Sequence, residues 1–278
     1  MAVISRTLGK ATGVGALWRN RQTLLTLVQR DLAVKYQRSV LGYFWSLIEP
    51  MGMAGIYYFV FGVLYNSGGK QVEGGAYPVF VVVGIFAWQW ASSAMSESTR
   101  SLTSQASLIT TMRVPREIFP VAKVVARFAE YAAGLPIIVV FALFYGASFS
   151  WTLLLLPVAI LIQTALLVGI SFILSSINVL MRDVDRFMRL AMRILFYAAP
   201  VVYPLSKVLN AESAPGWLKD LYMANPFVGI IQLHHSVWNS HELPGWPLFW
   251  YSTSISFALL FVGWALFRSL EARVLKEL

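Results

Sequence analysis

The sequence predicts an all-helical integral membrane protein with six transmembrane helices, and three observations support this fold class. Hydrophobic residues make up 58% of the 278 positions, charged residues only 13%, and the mean hydropathy is +0.65. Several apolar stretches reach the roughly 20 residues that a helix needs to cross about 30 Å of hydrocarbon. These stretches are uniformly apolar rather than alternating, which favours helices over the strands of a membrane barrel.

The first predicted element is an amphipathic helix that precedes the membrane. In the N-terminal segment, residues 1–40, the apolar residues Leu24, Leu25, Val28 and Leu32 recur at helical spacing among polar and basic neighbours. Such a helix lies along the inner leaflet of a membrane. The plainer alternative is that basic residues and tryptophan precede the first span of many membrane proteins.

Six membrane spans follow, each interpreted as one helix. They are predicted near residues 41–65, 77–97, 118–145, 151–180, 187–204 and 247–267. The segment before the last span, residues 204–247, is too apolar for a free loop and is interrupted at Asn225 and Pro226. We therefore expect two short re-entrant helices that dip into the outer leaflet, where irregular backbone can line a polar cavity.

The distribution of positive charge predicts the orientation. Of the 22 Lys and Arg residues, seventeen fall in the two termini and the segments that share their side, and three fall in the segments on the other side. Basic residues are retained on the cytoplasmic side, so both termini are predicted to be cytoplasmic. The formal charge of +9 is then a topology signal, and we expect no nucleic-acid partner. The absence of cysteine excludes disulfides and thiol catalysis.

Four motifs stand at particular places along these elements. Residues 30–50 read RDLAVKYQRSVLGYFWSLIEP, residues 108–120 read LITTMRVPREIFP, residues 178–187 read NVLMRDVDRF and residues 222–232 read YMANPFVGIIQ. In this order they resemble the membrane subunits, or permeases, of ATP-binding-cassette polysaccharide exporters. The resemblance extends from about residue 20 to the C-terminus. In the first motif it rests on a small set of positions that would form the entrance and gate: Arg30, Asp31, Tyr36, Ser39 and Trp45.

The resemblance implies a function and a set of partners. It implies export of a lipid-linked polysaccharide, such as O-antigen, capsule, teichoic acid or galactan, across a bacterial plasma membrane. It also implies a homodimer of this chain with two copies of a separate ATPase subunit, which would bind ATP and Mg. The sequence itself has no G-x-x-x-x-G-K-[ST] pattern, so we expect no cofactor in this chain and ATP hydrolysis by another one.

Three cytoplasmic segments are candidates for coupling to that ATPase: the amphipathic helix, residues 98–117 and residues 181–189. Residues 98–117 are rich in Ser and Thr and break at Pro115, which suits a short coupling helix, although an ordinary solvated loop would look the same. In residues 181–189, Arg182 and Asp185 could pair across a helical turn and Asp183 could cap the helix. The predicted coupling residues are Ser104, Leu108, Arg113, Arg182 and Asp183.

Ionisable residues in the third span are interpreted as structural or gate-lining. Lys123, Arg127 and Glu130 share one helical face, and Arg127 and Glu130 can neutralise each other. A proton relay would show isolated acids near mid-membrane, so this pattern argues against a secondary transporter. The three histidines have no convergent carboxylates, so we expect no metal site, and no residue is predicted to be catalytic.

Aromatic residues within the spans suggest a surface for sugars. A ring offers a flat apolar face to the C–H face of a sugar, and Tyr and Trp add a polar group. Core packing is the alternative for all of them. The predicted path residues are Tyr57, Tyr58, Trp88, Trp90, Tyr131 and Tyr197. Two other functions stay open: a lipid or drug exporter of the same superfamily, and a membrane glycosyltransferase, which would need paired carboxylates that are not seen in this pattern.

Overall fold

The structure is a computed structural model that describes residues 14–64, 76–111, 114–146, 150–212 and 214–277. Within these residues every regular element is helical, as predicted. The α-helices are α1 Val14–Arg19, α2 Arg21–Tyr36, α3 Trp45–Tyr57, α4 Tyr77–Thr99, α5 Ala106–Thr111, α6 Ile118–Phe144, α7 Leu156–Leu180, α8 Val184–Tyr197, α9 Leu205–Leu209, α10 Gly216–Met223, α11 Pro226–Trp238 and α12 Trp246–Glu277.

Five helical segments in the described residues are long and apolar enough to cross a membrane. They are Gly42–Leu64, Tyr77–Thr99, Ile118–Phe144, Trp151–Leu180 and Trp246–Glu277. These segments coincide with five of the six predicted spans. The last one is longer than expected, because α12 continues without a break to Glu277 and includes the charged C-terminal residues.

The region predicted as the fifth span, 187–204, differs from that expectation. Helix α8 begins earlier, at Val184, and ends at Tyr197, and residues 198–203 form turns. Proline at positions 200 and 204 has no amide hydrogen and cannot continue a helix, which explains why the helix stops there. The helix also carries charged residues, so it is strongly amphipathic instead of uniformly apolar.

Helix α2 occupies the region of the predicted N-terminal helix, and it packs on the N-terminal half of α6. Three of the four residues in the predicted apolar stripe face the core: Val28 is buried, and Leu24 and Leu32 are partly buried against the same cluster. Leu25 differs, because it is 53% exposed, whereas Leu27 is buried. The contact face therefore includes most of the predicted stripe.

Helix α4 is the centre of the fold. It contacts α3, α6, α7, α8 and α11, and most of its side chains are buried. A helix that is apolar on all sides is stable when protein surrounds it. The neighbours of α4 are therefore positioned by one shared core, whose fully buried side chains include Trp90 and Met95.

The segment before the last span folds as α9, α10 and α11. Asn225 caps α11, since its side-chain oxygen accepts a hydrogen bond from the amide of Phe227, and Pro226 occupies the first turn. The predicted interruption at Asn225 and Pro226 is thus the junction of α10 and α11. Unlike α10, helix α11 is almost completely buried against α4 and α12.

Helices α7 and α12 approach each other closely at two glycines. An added Cβ atom at Gly169 would lie 2.5 Å from the carbonyl group of Leu259 in α12, and one at Gly263 would overlap the carbonyl oxygen of Gly169. Small residues at a helix crossing let backbones come together in membrane proteins. This pair of glycines sets the distance between the fourth and last spans.

We expect Gly263→Ala to destabilise the protein by about 1–3 kcal/mol, because the new methyl group meets backbone atoms that cannot rotate away. The measurement is the thermal unfolding midpoint of the purified protein in detergent. Gly15→Ala, where a Cβ meets nothing within 4 Å, is the matched control. An unchanged midpoint for Gly263→Ala would contradict the close crossing.

Candidate functional site

An ionic cluster of Lys35, Tyr36, Glu97, Arg127 and Glu130 joins α2 to the C-terminal end of α4 and the N-terminal half of α6. The amine of Lys35 lies 3.1 Å from both carboxylate oxygens of Glu130. The hydroxyl of Tyr36 donates to the same carboxylate at 2.6 Å, and Arg127 donates to it as well. The Nε atom of Arg127 lies 3.3 Å from a carboxylate oxygen of Glu97.

Arg127 carries the most deeply buried charge of this cluster. Its side chain is 1% exposed, so it needs compensating charge, and Glu97 and Glu130 supply it. The predicted neutralisation of Arg127 by Glu130 is confirmed. Burial raises the pKa of the Tyr36 phenol, and the hydrogen bond to Glu130 raises it further, so Tyr36 remains a proton donor at neutral pH.

A second ion pair extends this contact toward the start of α6. Lys123 lies 2.8 Å from Asp31, and Arg30 lies 3.5 Å from the same carboxylate. Beside it opens a polar cavity of about 510 Å³ between α2, α6 and the segment that contains α5. The residues that line the cavity include Arg30, Asp31, Lys35, Ser104, Leu108 and Arg127.

The cavity brings together residues that the sequence assigned to two different roles. Arg30 and Asp31 belong to the predicted entrance motif, whereas Ser104 and Leu108 belong to the predicted coupling segment. The predicted coupling residue Arg113 lies outside the described residues. Ser104 is exposed in a 3₁₀ turn, and Leu108 is half-buried in α5, so this segment contains the expected short helix.

The rest of the entrance motif forms the turn between α2 and the first span. Arg38 adopts a φ of 62° and Gly42 a φ of 49°, both in the left-handed region that reverses the chain. The amide of Ser39 bonds to the carbonyl oxygen of Tyr36 at 3.2 Å. Trp45 is 48% exposed at the start of α3, so it is available to lipid or to another molecule.

The coupling segment at residues 181–189 differs from its predicted pairing. Arg182 does not pair with Asp185, because Arg182 precedes α8 and Asp185 is already inside it. Asp185 instead pairs with Arg189, four residues on, and lies 3.0 Å from Arg100 at the end of α4. Asp183 occupies the N-cap position of α8 without a side-chain cap bond.

Three of the predicted path residues are buried inside the chain. Trp90 and Tyr131 stack with their ring centroids 5.2 Å apart, and they are 2% and 3% exposed. Trp88 contacts Phe196 and Phe227 edge-on. These rings pack the core in this structure and offer no open face, so their role in a path stays a hypothesis.

Tyr131 also belongs to a buried polar chain that sequence reasoning missed. The amide nitrogen of Gln163 donates to the carbonyl oxygen of Ala87 at 2.9 Å, so the amide oxygen of Gln163 is free to accept from Nε2 of His234, 2.7 Å away. Nδ1 of His234 lies 3.1 Å from the Tyr131 hydroxyl. This chain ties α11 to three spans. Only the adjacency of two histidines to apolar residues in 226–238 hinted at burial.

The other three predicted path residues are accessible, and two of them are in contact. The hydroxyls of Tyr57 in the first span and Tyr197 in α8 lie 3.3 Å apart, although 140 residues separate them in sequence. Tyr197 is 61% exposed and Tyr58 is 37% exposed. The structure therefore brings together an accessible tyrosine pair where the first span meets α8.

Helix α8 continues this accessible surface with a basic stripe. The stripe consists of Arg186, Leu190, Arg193 and Tyr197, all exposed and all on the side of α8 opposite its buried methionines. Sequence reasoning missed Arg193 as a functional residue. The signal was its place on an amphipathic helix in a region predicted to span the membrane.

The groups that these surfaces present are suited to binding. The acids of the ionic cluster, Glu97 and Glu130, each contact a basic side chain. In the described part of the chain, no three His, Asp or Glu residues are grouped to hold a metal ion. The site offers charges, tyrosine hydroxyls and open aromatic faces.

Comparison with known proteins places the chain in a family. Residues 22–237 match the family described as ABC-2 type transporter. The chain is 29% identical over 256 residues to the O-antigen export system permease protein RfbA of Myxococcus xanthus, covering 92% of this chain and 95% of the relative. It is 30% identical over 255 residues to the protein of the same name from Klebsiella pneumoniae, covering 90% and 92%.

A more distant relative is the polysialic acid transport protein KpsM of Escherichia coli. It is 22% identical over 259 residues, covering 91% of this chain and 95% of the relative. The matched segment begins in α2 and ends in α11, so it contains the ionic cluster, the tyrosine pair and the basic stripe. The family match covers well over half of the chain, and the chain therefore belongs to the ABC-2 type transporter family.

Proposed function

We propose that this chain is the transmembrane subunit of an ATP-driven exporter that moves a lipid-linked polysaccharide from the cytoplasmic to the outer side of a bacterial inner membrane. The observation that carries the proposal is the similarity, over at least 90% of the chain, to relatives named as O-antigen export permeases and a polysialic acid transport protein. The lack of a phosphate-binding loop in the sequence supports a separate ATPase.

The membrane arrangement we propose has six crossings and cytoplasmic termini. Helix α8 and the turns that follow it form the fifth crossing, α2 lies along the inner leaflet, and α9 to α11 enter the outer leaflet. The charge distribution supports the orientation. A homodimer is supported by the first span, of which only 11% is buried within the chain and which carries the accessible Tyr57.

The partner surface we propose is the cytoplasmic cavity together with the start of α8. Two ATPase subunits, which bind the ATP and Mg, would contact Ser104 and Leu108 on one segment and Arg182 and Asp183 on the other. The ion pair between Arg100 and Asp185 links the end of α4 to α8 at 3.0 Å. A movement of the coupling segment would therefore also move α8 and Tyr197.

The glycan surface we propose begins at Tyr57 and Tyr197. Both side chains are aromatic rings that carry a hydroxyl group, and they lie where the first span meets α8. Such rings suit weak and repeated contact with sugar rings. A lipid or drug exporter of the same family is the alternative, and it would not need the two hydroxyls. A glycosyltransferase is less well supported, because the clustered acids Asp31, Glu97 and Glu130 each contact a basic side chain.

The first test concerns which subunit hydrolyses ATP. The purified chain is expected to show no ATP hydrolysis, and hydrolysis and glycan export are expected only when the ATPase partner is added. The measurements are phosphate release and carrier-linked glycan that becomes accessible outside proteoliposomes. ATP turnover by this chain alone, or an intact cell that exports normally without it, would contradict the proposal.

The second test concerns orientation and uses the absence of cysteine from the chain. Ser240→Cys is expected to react with a membrane-impermeant thiol reagent in intact cells, whereas Ser104→Cys is expected to react only after the membrane is opened. Both positions are exposed, so access alone decides the result. The reverse pattern would refute cytoplasmic termini.

The third test concerns the tyrosine pair. We expect Tyr57→Ala and Tyr197→Ala to slow export roughly two- to tenfold per assembled complex, because a stacked ring contributes about 0.5–1.5 kcal/mol beyond its buried area. Trp90→Ala is the contrasting variant. It removes a 2% exposed ring and should cost about 3–5 kcal/mol of stability, so that assembly fails first. Normal export from a folded Tyr57→Ala, Tyr197→Ala double variant would exclude the pair from the path.

A further inference from the structure

The basic stripe on α8 carries a charge that the fold leaves unexplained. Its members, Arg186, Leu190, Arg193 and Tyr197, follow each other at intervals of four, three and four residues, which places them on one side of the helix. Met188 and Met192 form the opposite, buried side. Arg186, Leu190 and Arg193 therefore face away from the rest of the chain, whereas Tyr197 at the end of the stripe meets Tyr57 of the first span.

The contacts of α8 show how far the stripe extends along the bundle. Near its start, Asp185 pairs with Arg100 just after the end of α4. Near its other end, Phe196 contacts Trp88, close to the middle of α4. Arg193 lies between these levels, about 12 Å along the helix axis from Asp185 at 1.5 Å per residue. It is thus alongside an apolar part of the second span.

Arg193 differs from the other arginines of α8 in its partners. Arg189 pairs with Asp185, and Arg186 lies 3.8 Å from Asp183. Arg193 is exposed and has no acidic side chain within ion-pair distance among the residues that the structure describes. An arginine at this depth is unfavourable against lipid, so such residues face a water-filled cavity or a bound group.

We infer that Arg193, together with Arg186 nearer the start of α8, forms an anion-binding site for a phosphate or carboxylate group of the translocated substrate. A guanidinium matches these groups because its planar fork can donate two parallel hydrogen bonds. Tyr197, one turn further, pairs with Tyr57 at the level where sugar rings would be held. The inference rests on the proposed function and adds the residues of this chain that would hold the charged group of the substrate.

The test uses the absence of cysteine and the position of Leu190 between the two arginines. Leu190→Cys, in the complex with the ATPase, is treated with an anionic sulfonatoethyl and a cationic trimethylammoniumethyl methanethiosulfonate. We expect the anionic reagent to react faster, and the ratio of the two rates to fall about tenfold when Arg193→Gln is added. Arg193→Lys, which keeps the charge, should preserve most of the ratio.

The matched control removes the same charge elsewhere. Arg273→Gln, at an exposed position near the end of α12, should leave the ratio at Leu190→Cys unchanged. No reaction with either reagent in the folded complex would show that the stripe faces lipid and would overturn the inference. A ratio that Arg193→Gln does not change would overturn it too.

Two probes distinguish the possible sources of the anion. Slower labelling of Leu190→Cys in the presence of inorganic pyrophosphate would identify the diphosphate of a lipid carrier, and slower labelling with oligoglucuronate would identify acidic sugars. Protection by neither would refute substrate binding at the stripe. Export is measured separately: a charge-dependent labelling ratio without any effect of the chain on glycan export would reject the proposed function and leave the anion site standing.

Discussion

The carboxylate of Glu130 is the contact on which the attachment of the N-terminal helix to the bundle depends. This carboxylate contacts Lys35 and Tyr36 of α2 and Arg127 of its own helix, α6. Arg127 also contacts Glu97 of α4. Removing one partner of a buried ion pair typically costs about 3–5 kcal/mol, because the other charge is left without compensation. The N-terminal helix is therefore attached to the bundle by charge as well as by Leu27 and Val28.

The part of the bundle around α11 is held by neutral hydrogen bonds instead. His234 connects Tyr131 and Gln163, and Gln163 reaches the backbone of α4 at Ala87. Such a series of hydrogen bonds fixes the orientation of the side chains without placing a net charge among apolar residues. This suits a buried helix such as α11. Both groups of contacts include α4, so one central helix connects the ionic cluster to the segment around α11.

The sequence predicted the helical membrane fold well, because composition and the length of apolar runs follow directly from the thickness of the bilayer. It failed where a helix is apolar on one side only, and where two residues in contact are distant in the sequence. Helix α8 is amphipathic, so a search for apolar runs misplaced its ends. The pairing of Arg182 with Asp185 was wrong because that spacing holds only inside a helix, and α8 begins between them.

The candidate site shows the same limit more sharply. Tyr131 and Tyr197 look alike in sequence, both being aromatic residues within predicted spans, yet one is 3% exposed and the other 61% exposed. The difference in their exposure depends on the packing of α6 and α11 around α4. The contact between Tyr57 and Tyr197 could not be predicted, since it depends on how the first span meets α8 across 140 residues.

The orientation of α8 about its own axis connects these observations. Burial of Met188 and Met192 directs one side to the core, and Asp185, which lies on that same side one turn before Met188, pairs with Arg100 just after the end of α4. The opposite side, which carries Arg193, therefore faces outward, and Tyr197 at its end meets Tyr57. An arginine at the centre of a membrane helix costs about 2.5–3.5 kcal/mol on insertion scales. In the membrane arrangement proposed above, that cost is tolerable where the exposed side of α8 borders water or an anionic group, and the contacts that pack α8 would place Arg193 on that side.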